Sequence, residues 1–150
     1  MLEKLINKDL IIVKDKVKGK YELLEDMVDK TLGKGLIMTR EPIIHEIKKR
    51  EKLESTGVIE GVAIPHARTE AIKDLLLEIA IIKKGLDFEA LDEKPVYIVF
   101  LIVAPEEARK KYIQVLARIS RMCRQNNFRE RLKNANDADE VIEIIEEFDN

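Results

Sequence analysis

Two histidines serve the whole 150-residue chain, and one of them, His66, ends an unusual segment: Gly61-Val62-Ala63-Ile64-Pro65-His66-Ala67-Arg68. The apolar run 62–64 stops abruptly at Pro-His. Proline lacks an N–H and holds the residue before it in extended geometry, so an extended segment is expected to terminate just before His66. Arg50, Arg68, Ser55 and Thr56 lie close by in sequence. Guanidinium groups and hydroxyls are anion ligands, and a guanidinium presents a planar fork of donors to phosphate or carboxylate oxygens. These residue types suit an imidazole at a strand end beside an anion. On local context alone an incidental or structural role for His66 stays open, and so do a solvated helix end for Arg50, a surface position for Arg68 and loop hydrogen bonds for Ser55 and Thr56.

Other chemistries find less support. His45-Glu46 does not begin a zinc-protease motif, because Lys49 stands where the second histidine would be. Two histidines and the distant Cys123 make a poor zinc set. The lone cysteine has no intrachain partner and lies beside an apolar stripe, as a core thiol does. Gly33-Lys34-Gly35 lacks the spacing of a nucleotide-binding loop and reads as a helix stop.

Elements to hold the site can be read from periodicity. Residues 10–13 form a short β-branched run expected to be a strand. A helix is expected over 21–32, with Leu24, Met27, Val28 and Leu32 on one face. Thr39 is a candidate N-cap for a second helix running to Leu53, with Pro42 in its first turn and Ile43, Ile44 and Ile47 inward. Residues 57–65 return to extended chain, and 75–82 and 96–103 are Ile- and Val-rich strands. The last is apolar throughout, as a strand covered on both faces must be. Pro105 is expected to open a third helix with the stripe Tyr112, Val115, Leu116, Ile119 and Met122. Asp137 and Glu140 resemble a capping box for a final helix burying Val141, Ile144, Ile145 and Phe148. Strands alternating with helices indicate one three-layer α/β or α+β domain over 1–150.

Charged residues make up 37% of the chain, above the usual ~25%, yet the net charge is only −2. Both signs are interspersed, with no global basic field for nucleic acid or anionic lipid. No apolar stretch reaches the ~18 residues of a membrane span, and the N-terminus lacks the apolar core of a signal peptide. A cytoplasmic location is the expectation.

The string Arg50-Glu51-Lys52-Leu53-Glu54-Ser55-Thr56-Gly57, followed by Gly61-Val62-Ala63-Ile64-Pro65-His66, resembles the enzyme IIA domain of the fructose/mannitol class of the bacterial phosphoenolpyruvate-dependent sugar phosphotransferase system. Gly85-Leu86-Asp87-Phe88, Ala90-Leu91-Asp92-Glu93-Lys94-Pro95-Val96 and Ala104-Pro105-Glu106-Glu107 look like the same family, in the same order. The resemblance implies a small mixed β-sheet with helices on both faces. It implies that His66 accepts a phosphoryl group from the phosphocarrier HPr and donates it to an enzyme IIB domain, with the membrane reached only indirectly through a IIC permease, and with no metal or other cofactor. Fructose-type sugar uptake is the expected role; the alternative is that of the nitrogen-regulatory relatives, which use the same domain as a phosphorylation-dependent binding module. Arg50 is then the residue expected to clamp the transferring group, with Ser55, Thr56 and Arg68 assisting. Two departures stand out. Tyr112 aligns with a second histidine common in the family and is expected near His66, as a hydrogen-bond donor without charge. Ile59 occupies a position where the family often has glycine.

Overall fold

The computed structural model describes residues 2–149. Among these residues, five strands form one mixed sheet: β1 (Ile11–Lys14), β2 (Val62–Ala63), β3 (His66–Arg68), β4 (Leu76–Leu86) and β5 (Val96–Ala104). The order is β1-β4-β5-β2, with β3 also paired to β5. β4 and β5 are antiparallel; β1 runs parallel to β4, and β2 and β3 run parallel to β5. Among the described residues, five α-helices cover it: α1 (Lys20–Gly33), α2 (Glu41–Leu53), α3 (Arg109–Cys123), α4 (Asn126–Lys133) and α5 (Ala138–Phe148).

Side-chain alternation along a strand assigns the two faces. On β5, Val99, Leu101 and Val103 pack with Met27, Val28, Ile43, Ile44 and Ile47 of α1 and α2. Ile98, Phe100 and Ile102 pack with Val115, Ile119, Phe128, Val141 and Ile145 of α3, α4 and α5. The three-layer architecture expected from the sequence is the one observed.

Several boundaries differ from expectation. α2 begins at Glu41 and is flanked by Arg40 rather than capped by Thr39. Arg40 is held there by ion pairs to Glu25, Asp29 and Glu41, which fasten the start of α2 to α1. Pro105 precedes a 3₁₀ turn, Glu106–Ala108, and α3 starts only at Arg109. β4 continues to Leu86, with an irregular register between Ile81 and Leu86. The helix α4 has no strong sequence signature, since only Phe128 and Leu132 of its eight residues are buried. Asp137 does cap α5, accepting the Glu140 N–H at 2.9 Å, whereas Glu140 reaches back to the Asn136 N–H instead of completing the box on Asp137. Phe148 is only partly buried, against the Phe128 ring.

One buried polar group stands apart. Glu78 of β4 is 1% exposed on the α1/α2 side, and neither carboxyl oxygen has a hydrogen-bond partner among the described residues. It adjoins a cavity of about 10 Å³ walled by Val28, Thr31, Ile37, Ile43, Leu101 and Val103 among others. Burial pushes its carboxyl up to about 8, opposed only by the charge of Lys30.

Candidate functional site

His66 opens a strand rather than following one. The extended segment is split by Pro65 into β2 and β3, both paired to β5. Pro65 has no N–H to give, but its carbonyl still accepts the Ile102 N–H at 3.0 Å. The Ile64 N–H turns aside to the Thr56 carbonyl at 3.2 Å. The chain therefore steps at Ile64-Pro65, and pairing resumes with His66 opposite Ile102. This corrects the expectation of a strand ending before the histidine: a two-residue break suffices for the missing donor.

The step also places the Ile64 carbonyl 2.7 Å from His66 Nδ1. A carbonyl only accepts, so Nδ1 carries the proton and donates. In the neutral ring the lone pair then lies on Nε2. His66 is half-buried, and its pKa is held below the ordinary histidine value, first by burial and then by the charge of Arg50; the Ile64 carbonyl and Glu51 oppose the shift. The imidazole is accordingly neutral at pH 7, with Nε2 free to act as a nucleophile.

Tyr112, from the first turn of α3, lies against this ring with centroids 6.0 Å apart and planes inclined at 56°. Its side chain is buried, which pushes its phenol up to about 12 against the charges of Arg68 and Arg50, so it stays protonated. The Arg68 guanidinium also lies against the tyrosine, 5.8 Å from the ring centroid, and donates to the Glu106 carbonyl at 3.2 Å. Arg50, near the end of α2, donates to the Glu54 carbonyl at 2.7 Å, and its charge is felt by both His66 and Tyr112. The fold thus gathers His66, Tyr112, Arg68 and Arg50 from β3, α3 and α2.

Ser55 and Thr56 are placed differently from expectation. Both are buried, and their hydroxyl protons point inward: Ser55 donates to the Phe88 carbonyl at 3.1 Å and Thr56 to Glu51 Oε1 at 2.7 Å. Each hydroxyl has one proton, so neither donates toward His66 in this arrangement. Gly57 follows them because nothing larger fits: a Cβ there would lie 2.9 Å from the Ala90 Cβ. Ile59 belongs to the tight turn before β2, whose N–H at Val62 returns to the Ile59 carbonyl at 2.8 Å. That turn meets β5 at Tyr97, at the end of the strand away from His66. His45 is exposed on α2. Cys123 is fully buried, and burial pushes its thiol up to about 12, leaving it an inert core group.

Sequence reasoning passed over Lys20 and Glu51. Glu51 is 2% exposed and Lys20 6%, and they pair at 2.9 Å beneath the Ser55-Thr56 loop. Lys20 sits in a run of lysines that looks entirely solvated, and nothing local distinguishes it. Glu51 was visible only as part of the Arg-Glu motif.

Comparisons with known proteins place the chain in a family. The family described as "Phosphoenolpyruvate-dependent sugar phosphotransferase system, EIIA 2" matches residues 4–148. The chain belongs to this family. It is an EIIA-type phosphocarrier domain. It is 32% identical over 148 residues to the fructose-specific EIIABC component of Bacillus subtilis, a match covering 99% of this chain and 23% of that longer protein. It is also 32% identical over 142 residues to a nitrogen regulatory protein of Bradyrhizobium diazoefficiens, covering 94% of this chain and 92% of the relative. Among solved structures, the nitrogen regulatory protein IIA-Ntr of Neisseria meningitidis superposes with a TM-score of 0.88 at 28% identity, covering 96% of this chain and 98% of that one. Among the described residues no helix is long and apolar enough to cross a membrane.

Proposed function

We propose that His66 is the phosphoryl acceptor of this phosphocarrier domain, taking the group from a phosphorylated HPr-type protein and passing it to an enzyme IIB domain that serves sugar uptake. The observation that carries this reading is the 2.7 Å contact of Nδ1 with the Ile64 carbonyl, which leaves the Nε2 lone pair free in a neutral ring. In the transfer, Nε2 attacks phosphorus in line with the donor's phosphorus–nitrogen bond. The new bond forms as that bond breaks, and its electron pair returns to the donor imidazole. No proton has to leave His66 beforehand. Donation to a IIB cysteine thiolate is the same displacement with His66 as leaving group.

Charge in such a transfer is spread over the equatorial phosphoryl oxygens, so the protein contributes mainly position and electrostatics. Arg50, whose charge reaches the ring, and Arg68 are the cations of the site, and Tyr112 packs against both His66 and Arg68. Arg50 is well suited to fold over the phosphoryl group, because its present contact is a single bond to an exposed carbonyl. Exposed apolar side chains on the flanking elements, Leu53 at the end of α2 and Ile113 beside Tyr112, suit docking of a protein donor.

The test is incubation with phosphoenolpyruvate, enzyme I and HPr. His66→Ala should take up no label, wild type should carry one acid-labile and alkali-stable phosphoryl group, and labelled His66→Ala refutes the assignment. Arg50→Lys should transfer at least tenfold more slowly, because a point charge does not reproduce the fork.

A second reading is supported by the regulatory relatives at comparable identity and by the close superposition on IIA-Ntr. There the same phosphorylation changes which target the domain binds rather than feeding a permease. Rapid onward transfer from phosphorylated protein to a fructose-type IIB domain favours transport; a phosphoryl group that stays in place favours regulation.

A further inference from the structure

A continuous set of hydrogen bonds runs from the N-terminus of α1 to the imidazole. Lys20 Nζ lies 2.9 Å from Glu51 Oε2. The same oxygen accepts the Thr56 N–H at 2.9 Å, and Oε1 accepts the Thr56 hydroxyl at 2.7 Å. The Thr56 carbonyl accepts the Ile64 N–H at 3.2 Å, and the Ile64 carbonyl accepts His66 Nδ1–H at 2.7 Å. Lys20 also donates to the Phe88 carbonyl at 3.1 Å, the acceptor shared with Ser55. The side chains of Lys20 and Glu51 are 5% and 0% exposed.

A buried ion pair is weak evidence for stability, since desolvation of two charges offsets most of their attraction and a well-packed apolar pair commonly does as well. What such a pair does supply is geometry, because each of its donors and acceptors must be met in one arrangement. Here it fixes the N–H and the hydroxyl of Thr56, and the Thr56 carbonyl holds the N–H of Ile64, the residue whose own carbonyl meets His66.

We infer that the buried Lys20–Glu51 pair is a positioning element for His66, holding through Thr56 the Ile64 carbonyl that keeps the ring proton on Nδ1 and the lone pair on Nε2. This rests on the reading of His66 as the phosphoryl acceptor. Lys20 and Glu51 touch neither the reacting atoms nor a docking partner; they act through the backbone. Glu51 also acts through space, its charge partly offsetting the burial that lowers the basicity of His66.

The experiment is ¹⁵N NMR of the imidazole nitrogens in unphosphorylated protein, joined to phosphorylation kinetics with phospho-HPr. Lys20→Met/Glu51→Met removes both charges together, so no orphan ion remains buried. Wild type should show a protonated Nδ1 and an unprotonated Nε2. The double variant should show averaged shifts from a mixture of tautomers and a maximal phosphorylation rate about tenfold lower, with KM for phospho-HPr unchanged. Wild-type shifts and rate in the folded double variant overturn the inference and leave the pair purely structural. Should the double variant fail to fold by circular dichroism, Glu51→Gln is read by the same two measurements, and wild-type values there overturn it equally. The NMR arm needs no transfer activity: an unphosphorylated wild type rejects the phosphoryl-acceptor reading, while a tautomer change in the variants still reports the positioning.

Discussion

Glu78 should make this protein less stable as pH rises across neutrality. Its carboxyl is buried without a hydrogen-bond partner among the described residues, on the side of the sheet covered by α1 and α2. The sign follows from linkage. Burial raises its folded pKa from the ordinary 4.5 to about 8, so between these values the native state holds a proton that the unfolded chain has released. Unfolding is then favoured by each rise in pH: the stability is fully present below about pH 4.5 and is lost progressively as pH climbs through about 8. Each pH unit in that window is worth about 1.4 kcal/mol, so by pH 7 the native state has given up on the order of 3 kcal/mol. That is a large part of the 5–15 kcal/mol typical of a domain. Glu78→Met keeps the length of the side chain, reaches toward the small cavity and has nothing to ionise. Urea denaturation followed by circular dichroism, at pH 6.5 and 7.5 on both proteins, isolates the effect. The variant should be the more stable, and its advantage should widen by about 1.3 kcal/mol between the two conditions. Parallel stability profiles, with a gap that does not change with pH, would refute the reasoning and mean that the carboxylate is solvated in the folded state.

Three other outcomes are expected. Phosphorylation of the protein by phospho-HPr needs neutral His66, whose pKa lies below the ordinary 6.5 through burial and the charge of Arg50; the pH–rate profile, corrected for HPr, should therefore hold its plateau to lower pH than an ordinary histidine would before it falls. Tyr112→Phe keeps the ring against His66 and should fold normally and still be phosphorylated, with transfer slowed by about the 0.5–1.5 kcal/mol of one hydrogen bond if the hydroxyl contacts the phosphoryl group; unchanged single-turnover rates limit the residue to packing. Gly57→Ala drives a methyl group against Ala90 and should cost about 1–3 kcal/mol by thermal or urea unfolding, strained contact between the loops being the cause.

Much of the framework was legible in the sequence because it is set by short-range periodicity. The apolar stripe Tyr112, Val115, Leu116, Ile119 and Met122 reads as one face of a helix, and the apolar run 96–103 suits a strand covered on both faces; α3 and β5 stand there. At Pro-His the sequence announced only an interruption, through proline's missing N–H, and not that strand pairing resumes at His66. Where the signal was thin, as in α4 with two buried residues in eight, the element was invisible.

The sequence by itself determined which residues have the chemistry for an anion beside an imidazole: His66, Arg50, Arg68, Ser55, Thr56 and, by family resemblance, Tyr112. Only the tertiary structure decided which way they point. It turned the Ser55 and Thr56 hydroxyls inward to Phe88 and Glu51, laid Tyr112 against both His66 and Arg68, and drew Lys20, one lysine of many, 31 positions along the chain to Glu51. The physical reason is that a side chain's direction, and the cost of burying its charge, depend on neighbours brought together by packing from distant parts of the chain. A lysine in water and a lysine locked between a carboxylate and a carbonyl are the same letter in the sequence.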